Sequence, residues 1–214
     1  MDRTQWLAYI CQTKAIAVIR APSHELGRKM ACAVATGGLT CLEITWTTPQ
    51  AAQLVTQLRS ELPECQIGAG TLLSLDQLEE AYQAGAQFCF SPHTSVTLTQ
   101  AAKARSLAFI PGALTPSEIV LAWQTGAASV KVFPITAMGG ISYLRSLQGP
   151  LSHIPLIPTG GVRCQDAAAM LQAGAIAVGL SGALFPPAEI QQANWTAISR
   201  RAAQLVASLN MAQS

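Results

Sequence analysis

The stretch AFIPGALTPSEIVLAWQTGAASVKVFP, residues 108–134, contains one complete repeat of the chain's architecture. Its first apolar run, Ala108 to Pro111, and its last, Ser129 to Phe133, are short and rich in β-branched and aromatic residues, as buried strands are. Between them Thr115 is a helix cap and Thr125-Gly126 is a helix end. Strand, helix and strand in this order make a βαβ unit.

The pattern extends in both directions. After an N-terminal helix ending near Gln12, apolar strands alternate with amphipathic helices as far as Phe185. Eight strands are predicted: Ala15 to Arg20, Thr40 to Thr45, Gln66 to Gly70, Gln87 to Ser91, Ala108 to Pro111, Ser129 to Phe133, Leu156 to Thr159 and Ala175 to Leu180. Ser23, Ser74 and Ser95 cap further helices, while Gly37-Gly38, Gly85 and Gly174 end them. Ala-Gly-Ala at 84–86 and 173–175, with Thr-Gly-Ala at 125–127, is a weak internal repeat marking helix ends that feed strands. A C-terminal helix from about Ala188 to Leu209 closes the ring. No GxGxxG follows the first strand, which argues against a doubly wound open sheet, and eight units of about 20 to 25 residues favour closure. The expected fold is α/β: one (β/α)8 TIM barrel over residues 1–214, with an N-terminal helix.

Bulk composition narrows the function. Charged residues are 11% of the chain, against about 25% in an ordinary globular protein. With a hydrophobic fraction of 50%, much surface is buried in a core or between subunits, and a homo-oligomer is expected. A net charge of +2 without a basic run excludes a nucleic-acid or membrane-surface footprint. The six cysteines are irregularly spaced with no CxxC, the pattern of free thiols in a reducing compartment. No signal core follows Met1, and no apolar run approaches membrane-spanning length, so a cytoplasmic location is expected. His24, His93 and His153 have no metal-ligand spacing, and no metal is expected; His93 is a candidate for the mouth of a site or a solvated loop residue.

In such a barrel the chemistry lies where strands end. Lys131 is the only lysine in a predicted strand and Glu43 the only acid. An unpaired buried ammonium costs several kcal/mol, so a lysine there is either paired or employed. A desolvated lysine amine attacks carbonyls to form Schiff bases, and a glutamate in a dry pocket shuttles protons at neutral pH. The two residues also fit a buried ion pair. Gly160, Gly161 and Ser181, after strands 7 and 8, offer backbone N–H groups to a phosphate or form tight turns.

These residues resemble those of the class I 2-keto-3-deoxy-6-phosphogluconate (KDPG) and 4-hydroxy-2-oxoglutarate (KHG) aldolases. The likeness rests on Leu42-Glu43-Ile44-Thr45, Gly68-Ala69-Gly70-Thr71, Ala86-Gln87-Phe88 leading to Ser91-Pro92, Ile110-Pro111-Gly112, Lys131-Val132-Phe133-Pro134 and Pro158-Thr159-Gly160-Gly161. It implies that Lys131 forms a Schiff base with pyruvate and that Glu43 handles protons. It also implies that Thr71, Pro92, Phe133 and Thr159 line the pyruvate pocket and that Gly160, Gly161 and Ser181 hold phosphate. A homotrimer without cofactor is implied by the resemblance as well. Two positions depart from it: Thr47 stands where an arginine commonly grips the substrate carboxylate, and Leu180 where a glycine is common. Arg20, at the end of strand 1 beside strand 2, is placed to take over the carboxylate. The expected function is a lyase that cleaves a 2-keto-3-deoxy (phospho)sugar acid or 4-hydroxy-2-oxoglutarate to pyruvate and an aldehyde, either glyceraldehyde 3-phosphate or glyoxylate. Two alternatives are a catalytically weakened barrel that binds a phosphorylated ligand, and a phosphosugar isomerase or epimerase.

Overall fold

The computed structural model describes residues 1–211. Its strands are β1 (Ala15–Ile19), β2 (Cys41–Thr45), β3 (Gln66–Gly70), β4 (Phe88–Phe90), β5 (Ala108–Ile110), β6 (Gly112–Ala113), β7 (Val130–Val132), β8 (Leu156–Pro158) and β9 (Val178–Leu180). The helices are α1 (Arg3–Thr13), α2 (His24–Thr36), α3 (Ala51–Glu61), α4 (Leu75–Gln83), α5 (Val96–Ala104), α6 (Pro116–Gln124), α7 (Ile141–Leu151), α8 (Ala167–Gln172), α9 (Pro187–Gln191) and α10 (Trp195–Met211). This is a mixed α/β fold with a curled, wholly parallel sheet in two pieces, ordered β5-β4-β3-β2-β1-β9 and β6-β7-β8. A bridge between Thr159 and Gly179 joins β8 to β9. On the other side the Ala128 N–H donates to the Phe109 carbonyl at 2.9 Å.

The expected strand Ala108 to Pro111 is divided, with β5 ending before Pro111 and β6 starting after it. Proline has no N–H to give the ladder, although its carbonyl still accepts from the Lys131 N–H at 3.0 Å. The expected C-terminal helix is also two helices, because Ala193 turns left-handed (φ +51°) between α9 and α10. The Asn194 side chain then accepts from the Ala197 N–H at 3.2 Å and starts α10 afresh.

Strand alternation sorts the core into two layers. Leu42, Ile44, Cys89, Val130 and Val132 face the helices, in the larger cluster with residues such as Leu54, Leu144 and Met170. Cys41, Phe88 and Phe90 face the interior with Ile16, Val18 and Ile157. By the same alternation Glu43 and Lys131 point inward, each between two outward-facing neighbours.

Helix α1 covers the N-terminal ends of the strands. Trp6 and Ile10 are its only buried side chains, and both enter the interior cluster. At the end of α1, Lys14 is buried in a left-handed conformation (φ +58°), and its ammonium donates to the Leu209 carbonyl at 3.1 Å. A cation there is favourably placed against a carbonyl in the C-terminal part of α10.

Candidate active site

At the C-terminal ends of the strands a cavity of 540 Å³ opens over the interior cluster. Its wall includes Arg20 after β1, Glu43 from β2, Thr71 after β3, Pro92 after β4, Lys131 from β7 with the following Phe133, Thr159 to Gly161 after β8, and Ser181 after β9. Ten of the eleven residues singled out in the sequence therefore line one cavity. Thr47 does not. The turn after β2 folds outward, so that the Thr45 hydroxyl is within hydrogen-bonding distance of the Thr47 and Thr48 hydroxyls, at 3.1 and 3.3 Å. Thr47 thus lines a separate surface depression with Trp46, Pro49 and Glu80. His93 is likewise off the cavity wall, and its ring nitrogen Nδ1 lies 3.0 Å from the Ser91 hydroxyl.

Lys131 is 5% exposed and Glu43 1%, yet they form no ion pair among the described residues. The Lys131 ammonium lies instead over two aromatic rings, Phe133 at 5.0 Å and Phe90 at 5.7 Å from the ring centres. Glu43 Oε1 is buried with no hydrogen-bond partner. Burial pushes the Glu43 carboxyl above its ordinary range, against the opposing pull of the Lys131 and Arg20 charges. A carboxyl so placed gives up and takes back a proton closer to neutral pH than a solvated one does. The close fit depends on Gly70, where a β-carbon would lie 1.8 Å from Glu43 Oε1. Beyond Gly70 the chain bends through Thr71 at φ +61°, a strained conformation for a β-branched residue and one concentrated at functional sites.

Across the cavity Gly160 and Gly161 both have positive φ (+92° and +79°), which turns their backbone toward the space above the strands. The N–H groups of Gly160, Gly161, Gly182 and Ala183 donate to no acceptor among the described residues, and all four residues line the cavity. Such a group of unpaired donors suits an anion. Arg163, also on the wall, has its charge engaged by Asp166 through contacts of 2.7 and 2.9 Å. Arg20 has no hydrogen-bond or ion-pair partner among the described residues, so its guanidinium is available to a ligand. The sequence reading places Gly179 and Gly182 at the end of the last strand without a site role, and it gives none to Val18, Val162 or Ala183 on this wall. Gly182 and Ala183 follow from the turn after β9, whereas Gly179 within β9 and Val18 within β1 look like any other strand residues.

The chain is 37% identical over 147 residues to the KHG/KDPG aldolase of Escherichia coli (strain K12), covering 69% of this chain and 68% of that one. The structure of a KDPG aldolase from Legionella pneumophila, with pyruvate captured as a covalent carbinolamine intermediate, superimposes with a TM-score of 0.85 at 29% identity, covering 93% of this chain and 97% of that one. The Zymomonas mobilis ZM4 enzyme, a 2-keto-3-deoxy-6-phosphogluconate aldolase in complex with 3-phosphoglycerate, superimposes with a TM-score of 0.82 at 27% identity, covering 93% and 95%. Residues 8–201 match the aldolase family described as KDPG and KHG aldolase. A lysine from β7 and a glutamate from β2 that line one cavity thus come with a family match over most of the sequence, and the chain belongs to the KDPG and KHG aldolase family.

Proposed function

We propose that this protein is a class I aldolase, a carbon–carbon lyase that cleaves a 2-keto-3-deoxy (phospho)sugar acid or 4-hydroxy-2-oxoglutarate to pyruvate and an aldehyde. The observation that carries the proposal is the presence of Lys131 and Glu43 together as the only lysine and the only carboxylate among the described residues of the cavity wall. The Lys131 amine adds to the keto carbon, and loss of water from the carbinolamine leaves an iminium. Glu43, acting through a water, takes the proton from the C4 hydroxyl as the C3–C4 bond breaks. The bonding electrons move into the iminium and form an enamine, and the aldehyde departs. Protonation of the enamine at C3 and hydrolysis of the iminium then release pyruvate and restore the amine. No cofactor is required, because the iminium is the electron sink.

Thr71, Pro92, Phe133 and Thr159 enclose the pyruvate portion, while Gly160, Gly161 and Ser181 take a phosphate on the aldehyde portion. With Thr47 outside the cavity, the substrate carboxylate falls to Arg20, whose guanidinium is unengaged. Replacing Arg20 with Ala is therefore expected to raise KM for the keto acid about 30-fold and to lower kcat less, as loss of a charged hydrogen-bonding partner does. Steady-state cleavage assays measured by pyruvate release give both constants.

The fold completes the proposal as a closed (β/α)8 barrel over residues 1–214. In its support, β5 and β6 behave as one strand interrupted at Pro111, and the Thr159–Gly179 bridge and the Ala128–Phe109 hydrogen bond lie at the two seams. A cytoplasmic homotrimer fits the same picture, supported by the six free cysteines, the low charge, and Leu73, Leu75, Val96 and Met138 exposed in or beside the loops that follow the strands. Among the described residues no helix is long and apolar enough to cross a membrane.

Borohydride reduction in the presence of pyruvate, followed by peptide mass spectrometry, tests the chemistry. A reduced pyruvate adduct on Lys131 is expected. Folded protein that takes up no adduct would favour the alternatives: phosphate-ester binding without turnover, or isomerised product without C–C cleavage.

A further inference from the structure

The Lys131 ammonium has no acceptor among the described residues, and its nearest charge partner, Glu43, is not in ion-pair contact. Two ring faces hold it. Phe133 belongs to the cavity wall, but Phe90 does not: it lies below, 1% exposed, in the interior cluster. Phe90 is fixed by two further rings. Trp6 meets it edge-on at 5.8 Å and Phe88 at 5.9 Å, and Trp6 packs on Phe88 at 4.9 Å. Rings in these orientations attract one another beyond their apolar burial.

Trp6 is also tied to the strand that carries the lysine. Its indole N–H donates to the Ser129 hydroxyl at 3.0 Å, across 123 residues of sequence, and both groups are buried. Ser129 precedes Lys131 by two positions and so faces the same side of the chain. One indole from α1 therefore supports the lysine twice, through Phe90 under its ammonium and through Ser129 on its own strand. Just before α1, Met1 ties that end of the chain down: its amino group donates to the Gln87 carbonyl, and its carbonyl accepts from the Ala108 N–H.

Resting on Lys131 as the Schiff-base amine, we infer that Phe90, held by Trp6, is a positioning residue of the active site: it keeps the amine raised into the cavity and apart from Glu43. Without the ring face below, the ammonium has room to sink toward the Ser129 hydroxyl or to swing onto the free Glu43 oxygen. Either movement withdraws the amine from the keto carbon and leaves the walls of the ligand site as they were. Rate and binding then separate, which loss of fold does not cause.

The test uses pyruvate alone, by following exchange of its methyl protons with deuterium in NMR spectra, a reaction that needs the enamine. The variants are Phe90→Leu, which keeps an apolar side chain but removes the ring, and Trp6→Phe, which keeps a ring but removes the N–H. For Phe90→Leu the maximal exchange rate is expected to fall about tenfold with the half-saturating pyruvate concentration within about twofold of wild type. Its Tm is expected to fall by no more than about 4 °C. Trp6→Phe is expected to lose about threefold in rate with the same split. A Phe90→Leu protein that exchanges at the wild-type rate overturns the inference. So does one in which rate and half-saturation deteriorate in proportion together with a large loss of Tm. Absence of a borohydride-trapped adduct on wild-type Lys131 would instead remove the aldolase proposal, and the inference with it.

Discussion

Lys131→Met is expected to abolish pyruvate trapping and to reduce C–C cleavage by about four orders of magnitude or more, while the protein stays folded. The size of the loss follows from the chemistry. Without the amine no iminium forms, and the electrons of the breaking bond have nowhere to go. The folded state is retained because methionine matches the length of the lysine stem and suits the two rings that now flank the ammonium. It also removes a buried charge that has no ion-pair partner, so Tm should stay level or rise. Pyruvate release in a coupled assay and a thermal melt check the two halves. A folded variant that retains substantial cleavage would exclude Lys131 as the nucleophile.

Glu43→Gln is expected to lower kcat by about 10²- to 10⁴-fold, the contribution of a positioned acid–base group. The same variant carries a pH signature in stability. Burial raises the Glu43 carboxyl above its ordinary value of 4.5, so between 4.5 and the folded value the native state binds more protons than the unfolded chain. Stability contributed at this position therefore falls as pH rises through that window, and the cost persists above it. Glutamine has no such titration. The difference in Tm, variant minus wild type, is expected to grow as pH is raised from about 4.5 toward 8. A constant difference across that range would mean that the carboxyl is not held up by burial. The result would place Glu43 among groups whose ionisation opposes folding and serves the reaction.

Much of this was legible in the sequence, for identifiable reasons. Strand β3 is Gln66–Gly70 as read, and β1 and β2 differ from the reading by one residue, because short apolar runs bounded by polar or glycine residues have few other solutions. Lys131 and Glu43 stood out because a charge inside such a run is costly. Other features left no local signal. Trp6 reads as an ordinary helix packing residue, and only the curled arrangement of strands turns it into the floor beneath the lysine. Phe90 is equally unremarked within Phe88-Cys89-Phe90, since alternation predicts its face but not what stands above it. Thr47 was placed by resemblance, and a turn that bonds three threonine hydroxyls together carries it away from the cavity. The break between α9 and α10 depends on one left-handed alanine, a conformation no alanine announces.

The contact of Lys14 with Leu209 joins positions 195 residues apart, alongside the pairing of β1 with β9. During synthesis the first strand emerges long before its neighbour on that side exists. Until β9 and then α10 leave the ribosome, β1 has one bare flank and Lys14 lacks its acceptor. Catalytic competence should follow the same timetable, because Gly179 and Ser181 are made well after Lys131 and Glu43 and form part of the cavity wall. A nascent chain stalled before residue 178 would carry both Lys131 and Glu43 and still lack a finished pocket.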